Sequence, residues 1–242
     1  MHIVAIIQAR MGSTRLPGKV LLDLAGAPVL ARVVNRCRRA ATLDDVVVAT
    51  TTLPTDDPIV ELCLAHNWQS FRGQEDDVLD RYYHAALQYQ AEVVVRITSD
   101  CPLIDPGIID LMVKTFLEHG ALDYAGNSLA PRTFPRGLDV EVFSFEALAR
   151  AWRDDANPAW REHVTPYIYR QPEKFRLHAV THDTDLSVMR WTVDTAEDLA
   201  LVRKIYEYFG HDGFSWREVV KLLEQYPEWL EINRHVAQKE VA

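Results

Sequence analysis

The sequence predicts an α/β protein, a single three-layer αβα domain with helices on both faces of a mainly parallel sheet. Three observations lead there. Short apolar runs rich in β-branched residues alternate with stretches at helical spacing, and polar, glycine-bearing loops separate them. At 242 residues, 48% apolar and 25% charged, the chain can also bury one sizeable core. A usual size of about 150 residues per domain allows one or two. With no internal repeat, low-complexity tract or linker, residues 1–242 are read as one domain with an inserted excursion at about 125–175.

The elements follow in order. Residues 2–7 form a short apolar strand, then a polar loop, then a helix over 28–41. Residues 45–50 read as a strand and 57–67 as a helix, with Pro58 suited to its first turn. A third helix covers 76–90, and 92–97 is a third apolar strand. Asp105 as cap and Pro106 as first helical residue open a helix over 107–119. After Gly120 the rhythm loosens: 127–138, with Pro131, Pro135, Gly137, Arg132 and Arg136, reads as a long surface loop. Residues 138–143 alternate as a strand, 145–153 are helical, and 160–170 read as one helix despite Pro166. Two further strands are expected at 175–180 and 190–193. Thr195 and Asp198 have capping-box spacing before a helix over 196–209, and a last amphipathic helix at 215–225 precedes a polar tail.

Composition excludes several classes. With 26 basic against 35 acidic residues, the net charge of −9 repels a polyanion, so nucleic acid is not the expected partner. Cys37, Cys63 and Cys101 are too few and too widely spaced for a zinc site or a disulfide scaffold, which points to a reducing cytoplasm. The apolar run before Gln8 is too short for a signal peptide, and no stretch approaches the roughly 20 apolar residues of a membrane helix. A cytoplasmic protein without membrane insertion is expected.

One local exception to the acidic balance stands out. From Gln8 to Val20 the chain reads QARMGSTRLPGKV, with Arg10, Arg15 and Lys19 and no acid, between the first strand and the first helix. Gly12 and Gly18 let backbone amides turn toward a phosphate, Ser13 and Thr14 add hydroxyl donors, and the cations supply charge-assisted bonds. Such a loop suits a triphosphate. It is neither a Walker A loop, since the spacing is one residue too long and Val20 replaces the Ser or Thr, nor a GxGxxG fingerprint. The plainer alternative is an ordinary solvated loop.

Asp100 follows a predicted strand, where open parallel sheets bind ligands, although it could equally cap the turn before Pro102. Asp194 follows another. Asp198 is the capping-box acid, which leaves Asp194 free for a metal. Magnesium takes a couple of carboxylates plus phosphate oxygens and water, so Asp100 and Asp194 are expected to share one Mg2+ site. The triplet Asp183-Thr184-Asp185 has the form of a metal-binding DxD but sits in a polar turn, where a solvated loop is the plainer reading.

Residues 8–21 resemble the N-terminal signature of the cytidylyltransferases that make CMP-activated acidic sugars. The resemblance is nearest to the spore coat polysaccharide biosynthesis proteins of F type. Five more blocks carry it: RGQEDDVLDRYY at 72–83, RITSDCPLI at 96–104, RGLDVEVFSFEAL at 136–148, EHVTPY at 162–167 and RWTVDTAEDL at 190–199. The combination is more specific than any one block.

The resemblance implies the nucleotide-diphospho-sugar transferase-like fold. It also implies a magnesium-dependent transfer of a nucleotidyl group from CTP to a sugar, expected to be acidic, with release of pyrophosphate, in surface polysaccharide biosynthesis. On it, Arg10, Arg15, Lys19 and Asp100 are the catalytic candidates, and Gln8, Gly12, Ser13, Gly73 and Asp76 complete the nucleotide site. Asp100 would bind the magnesium that bridges the phosphates. Residues 73–77 would lie near base and ribose, although Glu75, Asp76 and Asp77 equally suit the first turn of a helix. Arg136, Asp139, Glu141 and His163 are the acceptor-binding candidates, with Arg132 and Glu162 beside them, and Arg136 is placed against the sugar carboxylate. Trp152, Trp160 and Trp191 are read as core or pocket wall. Related enzymes are commonly dimers, so a homodimer is expected. Thr98 and Cys101 depart from the acidic-sugar enzymes, which more often carry polar or acidic residues there. Two other functions fit the same fold: a glycosyltransferase using a ready-made nucleotide sugar, and a noncatalytic nucleotide-sensing module.

Overall fold

Alternation along the first strand sets the layering. In β1 (Ile3–Gln8), Ile3, Ala5 and Ile7 enter one apolar core while Val4 and Ile6 enter the other, because successive side chains point to opposite faces. The computed structural model describes residues 1–238; the last four residues of the polar tail lie outside it. β1 joins β2 (Asp45–Thr51), β3 (Gln69–Gly73), β4 (Val93–Thr98), β5 (Tyr124–Gly126), β6 (Glu141–Ser144) and β7 (Leu177–Ala179) in one sheet of order β3-β2-β1-β4-β6-β5-β7. Pairing is parallel except where β6 lies against β4 and β5.

One face carries α1 (Val29–Cys37), α2 (Asp57–Ala65), α4 (Pro106–Glu118), α8 (Ala196–Phe209) and α9 (Trp216–Gln225) over the larger core. The other carries α3 (Val78–Gln88), α5 (Phe145–Asp154), α6 (Pro158–His163) and α7 (Pro166–Tyr169). Local chemistry sets the helix starts. Asp105 accepts hydrogen bonds from the N–H groups of Gly107 and Ile108, and Thr195 and Asp198 form a complete capping box.

Strands β2 and β3 follow β1 on one side, whereas β4 lies on its other side. The crevice beyond the carboxyl ends of β1 and β4 is therefore a switch point of the sheet, where open α/β folds receive ligands.

Two strands that the sequence reading does not contain are present, and two expectations are corrected. β3, of sequence QSFRG, is a short polar edge strand whose residues are half-buried or exposed, so it shows no apolar run. β5 has only three residues. The single helix expected over 160–170 is two, because Pro166 removes an N–H and Val164 before it takes a left-handed φ of 71°. Residues 190–193 form no strand: the N–H of Trp191 donates to Arg136 and that of Val193 to Asp100, two separate segments rather than one ladder.

Candidate active site

The loop from β1 to α1 folds back over the carboxyl edge. Gly18 has a φ of 67°, a left-handed conformation that strains other residues, and it leads into a single 3-10 turn at Lys19–Leu21. That turn sends Lys19 inward, where only 8% of it remains exposed. Gly12, by contrast, has no positive φ, and a β-carbon there would touch only Glu75 Oε1, at 3.6 Å. The loop is pinned from below by Asp56, which accepts from the N–H of Met11 at 2.7 Å and is itself held by the hydroxyl of Thr51.

Lys19 Nζ donates to Asp100 Oδ2 and to Asp194 Oδ1, each at 2.8 Å. The two carboxylate oxygens can thus be no farther apart than twice that distance. Asp100 lies just past β4 and Asp194 just before α8. Backbone bonds hold the two segments together: the N–H of Val193 donates to the Asp100 carbonyl at 2.7 Å, and the Thr192 hydroxyl donates to it at 3.2 Å.

Further cations surround the pair. Arg15 reaches Asp194 Oδ2 at 2.9 Å, and Arg190 bonds the same oxygen at 2.8 Å while also gripping the fully buried Asp198. Asp194 stays out of the capping box, as expected, yet its carboxylate is engaged: its oxygens bind Lys19, Arg15 and Arg190.

Charge coupling follows from this arrangement. Burial acts against the Lys19 ammonium, but Asp100 and Asp194 outweigh it and raise its pKa above the usual lysine value. Burial likewise opposes the Asp100 carboxylate, yet Lys19 and hydrogen bonds from Lys19, Thr98 and Cys101 bring it down to about 2. Thr98 and Cys101, the departures from the acidic-sugar enzymes, thus both serve Asp100.

Whether these residues suit magnesium can be judged from the donor set. Two carboxylates already share one cationic centre, the Lys19 ammonium, and magnesium commonly takes one or two carboxylates beside phosphate oxygens and water. Among the described residues no group of three or more His, Cys, Asp or Glu is placed to hold a metal. The fit is to an ion that phosphates complete.

The other candidates divide. Gln8 ends β1 and accepts from Arg96 Nε at 3.2 Å. Arg10 faces Glu162 of α6 at 3.5 Å and Glu75 at 3.9 Å, so α6 reaches the loop. Ser13 accepts weakly from the Leu16 N–H, at 3.4 Å. Gly73 closes β3, Asp76 is exposed ahead of α3, and Asp77 is the helix cap, accepting from Asp80 at 2.8 Å. Glu141 is buried, with one oxygen accepting from Tyr124 and Thr165 and the other paired to Arg96, so its carboxylate is engaged within the fold. Asp139 pairs with Arg132 at 2.5 Å.

The guanidinium of half-buried Arg136 makes no ion pair among the described residues, and burial together with the Arg132 and Arg190 charges lowers its pKa despite Asp139. His163 ends α6 and is half-buried. Asp183 and Asp185 are exposed in a turn, with Asp185 accepting from the Ser187 N–H, as the solvated reading expects. Trp191 is core, and Trp152 stacks on Tyr83 at 4.1 Å.

Arg190 was not a candidate from sequence, although its spacing of four from Asp194 was a usable signal. Nothing in the sequence marks Asp56 as the support of Met11.

A cytidylyltransferase family model matches residues 4–226. The chain belongs to the cytidylyltransferase family. This cytidylyltransferase is 34% identical over 234 residues to the spore coat polysaccharide biosynthesis protein SpsF of Bacillus subtilis, covering 93% of this chain and 95% of that one. It is 42% identical over 239 residues to the 3-deoxy-manno-octulosonate cytidylyltransferase of Anaeromyxobacter dehalogenans, covering 84% and 97%. Among solved structures, a cytidylyltransferase from Leptospira borgpetersenii superposes with a TM-score of 0.92 at 34% identity, over 99% of this chain and all of that one. The chain is accordingly a nucleotidyltransferase enzyme of mixed α/β fold. No helix among the described residues is long and apolar enough to cross a membrane.

Proposed function

We propose that this cytidylyltransferase is magnesium-dependent and couples CTP to an acidic sugar, releasing pyrophosphate, in the synthesis of a surface polysaccharide. The observation that carries the reading is the meeting of Lys19, Asp100 and Asp194 beneath the cationic loop at the sheet's switch point. The names of the SpsF and octulosonate relatives support the pathway and the acidic acceptor.

In this reading a sugar hydroxyl attacks the α-phosphorus in line. A new P–O bond forms, the bond to the β-phosphate breaks, pyrophosphate carries away that electron pair, and the hydroxyl proton passes to water. Such displacements depend chiefly on positioning and charge neutralisation. Arg10, Ser13, Arg15 and Lys19 hold the phosphates, and Lys19 and Arg15 offset charge on the leaving pyrophosphate. Asp100 and Asp194 would hold the magnesium, which would supply neutralisation of phosphate charge and a lowered pKa of the acceptor hydroxyl. Gly73 and Asp76 flank the nucleoside. Arg136, lacking a carboxylate partner among the described residues, receives the one on the sugar, with Asp139 and His163 near its hydroxyls. Arg96 and Glu141 act through Gln8, fixing its position.

The reading includes a homodimer contacting through the 125–175 segment, which sedimentation would measure. The chemistry is tested by pyrophosphate release from four nucleoside triphosphates with candidate sugars, alongside cleavage of ready-made nucleotide sugars. Product from CTP with an acidic sugar, dependent on magnesium, is expected. Turnover of nucleotide sugars alone would replace this reading with a glycosyltransferase.

A further inference from the structure

Arg81 is 2% exposed, and among the described residues its Nε and Nη1 have no hydrogen-bond partner. No carboxylate stands within ion-pair distance of it in that set, unlike Arg36, Arg96, Arg161 and Arg190. A buried guanidinium without acceptors is costly, and such groups in folded proteins call for a partner supplied from elsewhere.

Its surroundings say what that partner meets. Arg81 lies in the first turns of α3, and helical side chains lean toward the helix N-terminus, here the carboxyl edge of the sheet where β3 ends. Its stem passes so close to Gly73 that a β-carbon there would lie 3.0 Å from Arg81 Cγ. Burial lowers its pKa most. Tyr82, Asp56 and Glu75 raise it, and Arg10 lowers it further, so these are the groups around it. Arg10 and Glu75 belong to the two loops that flank the nucleotide in the proposed function. Strands β2 and β1 separate β3 from β4, which puts this corner roughly 14 Å from the Asp100 end of the site at about 4.8 Å per strand. The charges of Arg81 and Arg10 are matched at this corner by Glu75 and Asp56, so it offers a polyphosphate no net attraction, which suits a neutral base.

We propose that Arg81 is a base-recognition residue, donating from its unpartnered nitrogens to the ring carbonyl or ring-nitrogen acceptors of a pyrimidine bound at the corner between Arg10 and Gly73. The assignment rests on the proposed function and adds the residue that reads the base. Arg81 thus trades stability in the empty protein for affinity in the complex.

The test is calorimetric titration of full-length wild type, Arg81→Met and Arg81→Lys with CTP, with cytidine and with inorganic tripolyphosphate, together with melting temperatures. In Arg81→Met, CTP and cytidine binding should weaken about ten- to hundredfold, the loss expected for hydrogen bonds from a charged donor. Tripolyphosphate binding should stay unchanged, and the melting temperature should hold or rise, because an unpaired buried charge is gone. A purely structural arginine would instead lower the melting temperature. In wild type, the Arg81 Nε–H resonance should move with cytidine and not with tripolyphosphate, a readout independent of whether a variant folds. Unchanged CTP affinity in a folded variant, an equal loss for tripolyphosphate, or a resonance indifferent to cytidine overturns the assignment alone. A wild type that binds no CTP overturns the proposed function, and this assignment with it.

Discussion

Lys19 and Asp194 stand 175 positions apart in the chain, yet the ammonium of one lies 2.8 Å from the carboxylate of the other. The same nitrogen holds Asp100 at the same distance. The loop after β1, the end of β4 and the approach to α8 are thus tied at one cation. Replacing Lys19 by methionine, which keeps the stem, should lower kcat/KM by the equivalent of about 2–4 kcal/mol, as for loss of one preorganised charge contact. It should also lower the melting temperature, because two carboxylates then face each other without the ammonium between them. Steady-state rates and calorimetry on one preparation check both.

Asp198 is fully buried, completes the capping box of α8, and accepts from Arg190, from Asn233 and from the N–H groups of Asp194 and Thr195. Its replacement by alanine leaves Arg190 buried without its main partner. A loss of about 3–5 kcal/mol in unfolding free energy is expected, the usual range for breaking a buried ion pair. Urea denaturation measures it; a change under 1 kcal/mol would contradict this role.

Much of this was legible beforehand, for local reasons. The capping box, the Asp105 cap and the apolar strands β1, β2 and β4 each state their structure within a few residues. The cationic loop was visible as a charge anomaly, and the Asp100–Asp194 pairing followed from what magnesium needs. What escaped has a common cause: its information lies in distant partners. The β3 strand is polar because it is an edge, residues 190–193 bond to two separate segments, and Glu141 is spoken for by Arg96, Tyr124 and Thr165. Nothing local marks Arg81 among the residues of α3, because its burial without acceptors depends on what packs around it.

Burial pushes the Cys37 thiol up to about 12 and the Cys63 thiol up to about 11, from an ordinary value of 9.0. A thiol pKa raised in the folded state means that the unfolded chain loses its proton first as pH rises. Stability from these groups is therefore complete below about pH 9 and declines toward pH 11 to 12. Urea unfolding across that window should show the decline, and Cys37→Ala should make it shallower. Equal slopes in both proteins would contradict the assignment.

Arg136 offers a guanidinium with no carboxylate partner among the described residues. Arg136→Met should raise KM for an acidic sugar about tenfold or more, the scale of a charged hydrogen bond, while leaving CTP affinity near wild type. The contrast between the two substrates is the readout. Equal losses for both, or none for the sugar, would remove Arg136 from the acceptor site.

The convergence of loop cations and paired aspartates on one nucleotide is tested most directly by a crystal structure with CTP and manganese, the ion located by its anomalous signal. The account predicts phosphates among Arg10, Ser13, Arg15 and Lys19, with the ion contacting Asp100 and Asp194 and the Lys19 ammonium moved onto phosphate oxygen. A triphosphate bound elsewhere, or an ion that touches neither aspartate, would contradict it.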